Sequence, residues 1–309
     1  MAISASMVKE LREMTGAGMM DCKKALAETD GNMEAAVELL RKSGAAKAEK
    51  KASRIAAEGI CRVAVENDKV AAVVEVNSET DFVAKNEVFQ TYVENVAKQA
   101  LASDAADMDA FMAEAWIEDS SKTVKDALVE KVATIGENLN IRRFEKVTAE
   151  NGCVVTYLHG GGRIGVIVKA ETTVVNDDIK EALSNVAMQV AAMSPKYVST
   201  DDVSEEYKAK EKEILMAQAQ EDPKNAGKPE NIIEKMIIGR LNKELKEICL
   251  LEQEYVKAEN KENVAKYLEN VGKANGTDLK VTQFVRFETG EGLEKKNEDF
   301  AAEVAAQLG

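Results

Sequence analysis

The sequence predicts an α+β protein in which helical stretches and pairs of antiparallel strands follow one another along the chain. Aromatic residues make up only 5% of the composition, so small aliphatic residues must supply the core, which favours helices packed on modest sheets. Long stretches repeat apolar residues every three or four positions, which indicates amphipathic helices, while shorter ones alternate apolar and polar residues, which indicates strands. The length of 309 residues favours two to four domains rather than one.

The first predicted unit, residues 1–55, is a three-helix module followed by a linker. Its three apolar stripes have helical spacing, and breaks at Thr15–Gly18 and Asp30–Asn32 separate them. We expect Ser43-Gly44 to end the third helix, because glycine suits the left-handed position that follows a helix. A unit this small has little core of its own, so we expect it to serve as a docking module.

The linker segment Lys47–Arg54 is polar and basic. A nucleic-acid contact is one interpretation of it, and a solvated hinge with some helix is the favoured one. The net charge of −14 supports the hinge, because nucleic-acid binders usually gain affinity by neutralising phosphates with clustered Lys and Arg. We therefore expect no nucleic-acid partner.

The second predicted unit, residues 56–149, is an α+β core subdomain. Its predicted elements are, in order, strands at 60–66 and 69–76, a helix at 83–102, more helix at 108–135 and a strand at 140–144. The first two strands alternate apolar and polar residues and flank Asn67-Asp68, a pair typical of a tight turn.

The third unit, residues 150–202 and 249–288, repeats this pattern. Its predicted elements are strands near 154–157 and 164–168, a helix at 177–193, and returns to the sheet at Leu250–Glu252 and Val281–Phe287. The segments Asn95–Gln99 and Asn185–Gln189 occupy similar places in the two long helices, at an offset of about 90 residues. The sequence therefore indicates an internal duplication of one subdomain plan.

Residues 203–248 interrupt the third unit. Apolar residues step by three and four on both sides of a breaker-rich tip, Asp222–Pro229, which holds two of the three prolines. Because the remaining faces are charged, we expect a projecting antiparallel coiled-coil hairpin, through which the chain could associate with itself. Residues 289–309 are predicted to form a C-terminal helical module, whose apolar residues, including Phe300, recur at four-residue steps.

The four cysteines are far apart and include no Cys-x-x-Cys pair, so neither a zinc ribbon nor a redox motif is predicted. Free thiols suit a reducing compartment, and the first residues, Met1–Ser4, lack the pattern of a signal peptide. No stretch approaches the roughly 20 apolar residues of a membrane span. We therefore expect a cytoplasmic protein that does not enter a membrane.

The sequence also lacks the side-chain sets on which most enzymes depend. His159 is the single histidine, which argues against a two-histidine zinc site and a Cys/His nucleophile pair. Three glycines from Gly160 to Gly165 satisfy the dinucleotide fingerprint formally, but that fingerprint requires a following helix, and Val166–Lys169 is strand-like. We favour a regulatory binding protein, with no cofactor, metal site or catalytic residue of its own, over a hydrolase that uses paired carboxylates.

Five segments of the chain resemble the elongation factor Ts family and follow in that family's order. The segments are Thr15–Leu26, Thr80–Asn86, Ile135–Arg143, His159–Val166 and Phe284–Glu288. An ordered set of this kind is more specific than any one motif. The resemblance implies an N-terminal UBA-like three-helix module, two duplicated core subdomains, an inserted coiled-coil hairpin and a C-terminal helix.

The resemblance further implies an exchange factor that binds elongation factor Tu, in its GDP-bound and nucleotide-free forms, and expels GDP. In the family, an Asp-Phe pair in the central loop presses into the nucleotide domain of the GTPase and disturbs its Mg²⁺ and phosphate site. In this sequence the pair is Asp81 and Phe82, flanked by Thr80 and Val83. Further partner contacts are expected at Met19, Met20, His159, Gly160, Arg163 and Phe300.

Several of these residues also have an ordinary structural interpretation. Phe82 could be a core residue, and Asp81 could cap the helix that starts near Val83. Met19 and Met20 could pack inside their own module, although methionine suits adaptable docking surfaces. His159 could be a turn residue without a partner contact.

Overall fold

The computed structural model describes residues 3–225 and 228–294, and it combines helices with antiparallel sheets as the sequence predicted. The N-terminal module consists of α1 (Ala5–Thr15), α2 (Met19–Glu28) and α3 (Met33–Lys51). Its core is a small apolar cluster in which Leu11 and Leu26 are fully buried. The three predicted helices are therefore confirmed, and the core they share is as small as their length suggests.

The prediction that Ser43-Gly44 ends the third helix is wrong, because α3 continues to Lys51. Gly44 is buried inside the helix, where an added Cβ would lie 3.4 Å from the Ala133 Cβ. The glycine therefore allows two helices to pack closely instead of ending one of them. Most of the basic linker belongs to α3, and its Lys47 pairs with Asp21 of the same module at 2.9 Å.

The first half of the core follows this module. It contains β1 (Glu58–Glu66), β2 (Val70–Ser78), α4 (Asp81–Ala84), α5 (Glu87–Ala102), α6 (Met108–Ala113), β3 (Ala115–Trp116), β4 (Asp119–Thr123), α7 (Val124–Ile135) and β5 (Asn140–Thr148). Strands β1, β2 and β5 form one antiparallel sheet in that order. Asn67 and Asp68 join β1 to β2 with left-handed φ angles of 52° and 56°, which confirms the predicted turn.

The prediction of continuous helix over residues 108–135 is wrong. The β3–β4 hairpin interrupts it, because Trp116 turns inward and packs beside Tyr92 with ring centroids 5.8 Å apart. Thr123 and Asp126 then form a capping box that starts α7. Packing of the tryptophan in the tertiary structure thus overrides the local helical pattern.

The second half of the core has the same strand order with an insertion. It contains β6 (Cys153–His159), β7 (Ile164–Glu171), α8 (Asp177–Met193), α9 (Glu205–Glu221), α10 (Glu230–Ile248), α11 (Val264–Ala274) and β8 (Lys280–Glu288). Strands β6, β7 and β8 form the second antiparallel sheet. The predicted helix at 177–193 is confirmed, whereas α11 is an element that the periodicity did not indicate.

The segment Leu250–Glu252 is a 3-10 turn rather than the predicted strand. The amides of Leu250 and Leu251 donate to the carbonyls of Tyr197 and Val198, both at 2.9 Å. The chain therefore satisfies its backbone groups against the segment that follows α8, and it does not reach the sheet. The apolar residues that suggested a strand are used instead to fill the second core, where Leu250 is fully buried.

The two sheets stack face to face, and each carries its helices on its outer side. Apolar side chains fill the space between the sheets, among them Cys61, Val73, Ile167 and Phe287. One further cluster packs α5 and α7 on the first sheet, and another packs α8 and α11 on the second. None of the helices within residues 3–225 and 228–294 is long and apolar enough to cross a membrane.

A buried glutamine has the same role in both halves. Gln99 in α5 accepts a hydrogen bond from the Ile117 amide at 2.8 Å, and Gln189 in α8 accepts one from the Val256 amide at 3.0 Å. In each half the glutamine therefore fixes the backbone of a later segment, the turn between β3 and β4 in the first half and the chain beyond the α9–α10 insertion in the second. These two residues end the segments whose similarity suggested the duplication, so their shared role supports it.

Helices α9 and α10 form an antiparallel hairpin between α8 and α11. The Tyr207 hydroxyl at the start of α9 donates to Glu244 near the end of α10 at 3.1 Å. Near the tip, Asn225 donates to the Ala219 carbonyl at 2.9 Å. Between these two ends Ile237 of α10 is fully buried, so the hairpin has a narrow apolar seam with polar ties at its base and tip.

Candidate functional site

The segment Glu79–Val83, here called the central loop, leads from the end of β2 into α4. The Thr80 hydroxyl caps α4 by accepting a hydrogen bond from the Val83 amide at 3.4 Å. Asn86 then caps α5 by accepting the Val88 amide at 2.8 Å. Two caps so close together make a tight corner between the two helices, and the first turn of α4 lies at its tip.

Phe82 points into solvent from this corner, with 80% of its surface exposed. The neighbours Val83 and Ala84 pack against the first core instead. The interpretation of Phe82 as a core residue is therefore wrong. Fully burying a phenylalanine side chain contributes about 1.5–3 kcal/mol, and this contribution is still available for a contact with another molecule.

Asp81 lies in the first turn of α4 and does not cap it, because the cap is Thr80. Its carboxylate forms an ion pair with Lys85, one turn further on, at 2.6 Å. The hydrogen bond from Lys85 lowers the pKa of Asp81 below its ordinary value. Asp81 is therefore a charged, exposed carboxylate that precedes Phe82 in the chain and is held by Lys85.

The central loop is held from behind by Glu137, in the turn between α7 and β5. One carboxylate oxygen accepts the amides of Glu79 and Thr80, both at 3.1 Å. The other accepts the Thr80 hydroxyl at 2.6 Å. This contact crosses more than 50 positions of sequence, so periodicity could not indicate it, although Glu137 lies inside one of the five family-like segments.

The N-terminal module presents a methionine surface. Met19 and Met20 begin α2 and are 59% and 75% exposed, whereas Cys22 and Leu26 on the other face are buried. The interpretation that both methionines pack inside their own module is therefore wrong. The module reaches the core through the Gly44–Ala133 contact and through Lys51, whose ammonium donates to the Gly136 carbonyl.

The turn between β6 and β7 is rigid and rests on the first sheet. Gly160, Gly161 and Gly162 have left-handed φ angles of 58°, 69° and 106°. An added Cβ at Gly162 would lie 2.7 Å from the Cys61 carbonyl oxygen, so only glycine fits there. The Cys61 amide donates to the Gly162 carbonyl at 2.6 Å. The following segment is β7, a strand, which is incompatible with the dinucleotide fingerprint.

The residues around this turn are exposed. His159 ends β6, and its Nδ1 lies 3.0 Å from the Tyr157 hydroxyl. Arg163 pairs loosely with Glu288, at 3.8 Å. His159, Gly160 and Arg163 therefore form a second surface on the other half of the core, separate from the central loop. The predicted contact Phe300 lies outside the described residues, as does everything from 295 onward.

A buried carboxylate joins the two sheets. Glu75 of β2 accepts hydrogen bonds from Arg142 at 3.0 Å, from Arg143 at 2.6 Å and from the Gly290 amide at 2.8 Å. Burial alone would raise the pKa of Glu75, but these bonds and one from Asn77 outweigh it and hold the pKa below its ordinary value. The network ties the first sheet to the chain just after β8.

No group of three or more His, Cys, Asp or Glu side chains in the described part of the chain is arranged to hold a metal ion. The four cysteines are free and buried. Burial raises the pKa of the Cys61 thiol to about 11, so it is a poor nucleophile at neutral pH. Among the residues that the sequence singled out, the exposed ones lie in the central loop, at the start of α2 and at the turn between β6 and β7.

Comparison with known proteins gives a consistent result. A family model described as Elongation factor TS matches residues 79–291. The elongation factor Ts of Clostridioides difficile (strain 630) is 55% identical over 308 residues, covering 99% of both chains. Those of Clostridium kluyveri and Clostridium novyi (strain NT) are each 50% identical over 307 residues, again covering 99% of both chains.

The matched residues begin at the central loop and end just beyond the Glu75 network. The resemblance that the five segments indicated is thereby confirmed. This chain belongs to the elongation factor Ts family, a family of nucleotide exchange factors that act on elongation factor Tu in translation elongation.

Proposed function

We propose that this chain binds elongation factor Tu in its GDP-bound form, speeds the release of GDP and remains bound to the nucleotide-free GTPase until GTP enters. The observation that carries the proposal is the exposed Phe82 ring on a capped, braced corner. A large apolar side chain held in solvent by its own backbone is suited to insertion into a partner. Family membership identifies that partner as elongation factor Tu.

The physical requirement is differential binding. A GTPase holds GDP through backbone amides, a lysine and a Mg²⁺ ion bridged to the phosphates. An exchange factor accelerates release only to the extent that it binds the release transition state better than the loaded GTPase. Each tenfold acceleration requires about 1.4 kcal/mol, and one buried aromatic anchor can supply 2 kcal/mol or more.

Asp81 and Phe82 have complementary roles in this proposal. The Phe82 ring enters an apolar space in the nucleotide domain, and the Asp81 carboxylate perturbs the charge around the Mg²⁺ and phosphate site. Lys85 holds that carboxylate at 2.6 Å, which limits its rotation before contact. Thr80 and Val83 fix the corner from either side, so these four residues constitute the proposed exchange site.

Other surfaces supply affinity. Met19 and Met20 of the N-terminal module are exposed and adaptable, and the turn carrying His159, Gly160 and Arg163 is exposed and rigid. We assign both to contacts with elongation factor Tu, together with Phe300 from the C-terminal segment. In this proposal the chain has no catalytic residue of its own, acts in the cytoplasm and has no nucleic-acid partner.

The same proposal gives the domain organisation. Residues 1–55 form a UBA-like module and linker, residues 56–149 one core subdomain, and residues 150–202 with 249–288 its duplicate. Residues 203–248 form a coiled-coil hairpin that serves self-association, and residues 289–309 a C-terminal helical module. The repeated strand order and the paired glutamines support the duplication.

The test is release of a fluorescent GDP analogue from elongation factor Tu with and without this chain. We expect fast release with the native chain and a loss of about tenfold or more in Phe82→Ala, since that variant removes an anchor of at least about 1.4 kcal/mol. Asp81→Ala should lose less, because it removes only a local charge. Val88→Ala is the matched control, since Val88 is also apolar, exposed and near the corner.

Phe82→Ala should keep the circular dichroism spectrum and thermal transition of the native chain, because 80% of the Phe82 surface is exposed. Equal exchange by Phe82→Ala and Val88→Ala would remove Phe82 from the exchange site. Absence of acceleration by the native chain at any concentration would overturn the proposed function itself.

A further inference from the structure

The central loop has few restraints of its own. The helix α4 has only four residues, and so short a helix is unstable in isolation because its nucleation is unfavourable. Phe82, the largest side chain of the loop, is exposed and anchors nothing. Val83 and Ala84 fix the end of α4 by packing on the first core, so the position of its start, which carries Phe82, depends on the contacts that other parts of the chain make with residues 79 and 80.

Glu137 provides the most direct of these contacts. Its carboxylate accepts three hydrogen bonds at once, from the Glu79 amide, the Thr80 amide and the Thr80 hydroxyl, at 3.1, 3.1 and 2.6 Å. Hydrogen bonds to an ionised acceptor are roughly twice as strong as neutral ones. The same Thr80 hydroxyl caps α4, so Glu137 acts on the cap that starts the helix carrying Phe82.

A second set of bonds connects this contact to the N-terminal module. The Asn138 amide donates to the Glu79 carboxylate at 2.6 Å, and the Asn138 side chain donates to the Arg54 carbonyl at 2.8 Å. The Arg54 guanidinium also donates to Glu79, at 3.3 Å. The turn that bears Glu137 therefore holds both the central loop and the segment that leaves α3.

We propose that Glu137 is the positioning residue of the exchange site, holding the central loop firmly enough for Phe82 to act on the partner. This inference rests on the proposed function. A loop that yields under contact would dissipate the binding energy that the release transition state needs. Loss of Glu137 therefore lowers the maximal rate of GDP release, while partner affinity, supplied by the other docking surfaces, changes little.

The second half of the core offers a matched control. Thr277 lies three positions before β8, as Glu137 lies three before β5, and its hydroxyl accepts the Thr173 amide at 3.1 Å. Thr173 follows β7 as Thr80 follows β2. Thr277→Ala thus removes an equivalent contact from a loop that carries no exposed aromatic residue.

The experiment measures release of fluorescent GDP from elongation factor Tu at increasing concentrations of each full-length variant. We expect Glu137→Ala to lower the maximal rate about tenfold, equivalent to about 1.4 kcal/mol, with the half-saturating concentration changed less than about threefold. Glu137→Gln should retain most of the rate, because its amide oxygen still accepts both backbone amides and its NH₂ can donate to Thr80. Thr277→Ala should release GDP at the same maximal rate as the native chain.

Amide hydrogen exchange on the free chain gives a readout that does not require the partner. We expect the amides of Glu79 and Thr80 to exchange at least about tenfold faster in Glu137→Ala, because their acceptor is gone. In Thr277→Ala the increase should occur at Thr173 instead. Thermal melting of each variant checks that the core is intact.

The outcomes separate the two proposals. An unchanged rate of amide hydrogen exchange at Glu79 and Thr80 in Glu137→Ala would overturn the positioning role, whether or not the chain acts on elongation factor Tu. A native chain that releases GDP while Glu137→Ala has the same maximal rate, or one in which Glu137→Gln falls as far as Glu137→Ala, would also overturn it. A native chain without any effect on GDP would overturn the proposed function and with it the exchange role of Glu137, whereas faster amide hydrogen exchange at Glu79 and Thr80 in Glu137→Ala would still show that Glu137 holds the loop.

Discussion

The two halves of the core contain the same kind of hydrogen-bonded contact between a turn and a loop, but the loops that it holds differ. In each of them, the turn before the last strand holds the loop that leads from the second strand towards the first long helix. Glu137 does this for Glu79 and Thr80, and Thr277 does it for Thr172 and Thr173 at 2.9–3.1 Å. A contact repeated in this way belongs to the fold that the two halves share.

The difference lies in what the held loop carries. In the second half Asn176 caps α8 directly, by accepting the Ile179 amide at 3.0 Å, and the chain enters the long helix at once. In the first half the extra turn α4 stands before α5 and presents Phe82. Both braces make three hydrogen bonds to their loops, but the first half has a carboxylate where the second has a hydroxyl, so its hydrogen bonds are the stronger ones. The half with the exposed ring is thus the more firmly held.

The two sheets differ in a similar way. Both second strands have a register shift near their ends, after Glu75 in β2 and after Lys169 in β7. At this shared position Glu75 is fully buried and bonded to Arg142 and Arg143, whereas Lys169 is only half-buried. In the first sheet, Glu75 at this position therefore joins the two halves of the core.

The largest effect that would test this comparison is on stability. We expect Glu75→Ala to lower the free energy of unfolding by about 3–5 kcal/mol, because it leaves two arginines without their buried partner. Lys169→Ala, at the matching position of the other sheet, should change it by about 0.5 kcal/mol or less. Urea unfolding at neutral pH measures both. Equal losses in the two variants would show that the Glu75 network gives no special support.

A smaller loss of stability is expected for the paired glutamines, and it should be of similar size in the two halves. Gln99→Leu and Gln189→Leu each leave a backbone amide without its acceptor, which costs about 1–3 kcal/mol in the free energy of unfolding. The same urea experiment applies, with Gln220→Leu as a control, since Gln220 is exposed. A large loss in one half alone would weaken the argument that the halves share one plan.

The smallest effect concerns acid. Because the folded-state pKa of Glu75 is lowered, its stabilising contribution is complete above the ordinary glutamate pKa of about 4.3 and is lost as pH falls through the lower folded value. Unfolding of the native chain and of Glu75→Gln is compared between pH 7 and pH 3. The stability difference should stay constant down to about pH 4.3 and shrink below it. A difference that grows with acid would contradict the assignment.

Local chemistry was enough to predict much of the secondary structure. The turn at Asn67-Asp68 followed from residues that tolerate left-handed backbone, and α8 followed from apolar residues at helical spacing. The wrong predictions for Gly44 and for the β3–β4 hairpin share one cause, which is packing against another segment of the chain. Gly44 was assigned to a helix end although it allows contact with Ala133, and the β3–β4 hairpin was missed because Trp116 obtains its place from packing on Tyr92.

The candidate site also combines residues that the sequence indicated with properties that only the tertiary structure revealed. Asp81 and Phe82 were identifiable from a segment that resembles a family signature, and so were Met19 and Met20. The exposure of these side chains could not be predicted from the sequence, since a phenylalanine in an apolar neighbourhood is as well suited to a core. Glu137 was visible only as part of another family-like segment, because its role depends on a contact with residues 57 and 58 positions away.

By itself, the sequence indicated most of the helices and strands, a repeated pattern in the core and the family to which the chain belongs, because these depend on local patterning and on motifs that keep their order. The tertiary structure decided which residues face solvent and which hold them there. Phe82 is exposed, and Glu137 and Glu75 are placed to brace the loop and join the sheets. The physical reason is that burial and hydrogen-bond partners are set by distant segments, which local periodicity does not record.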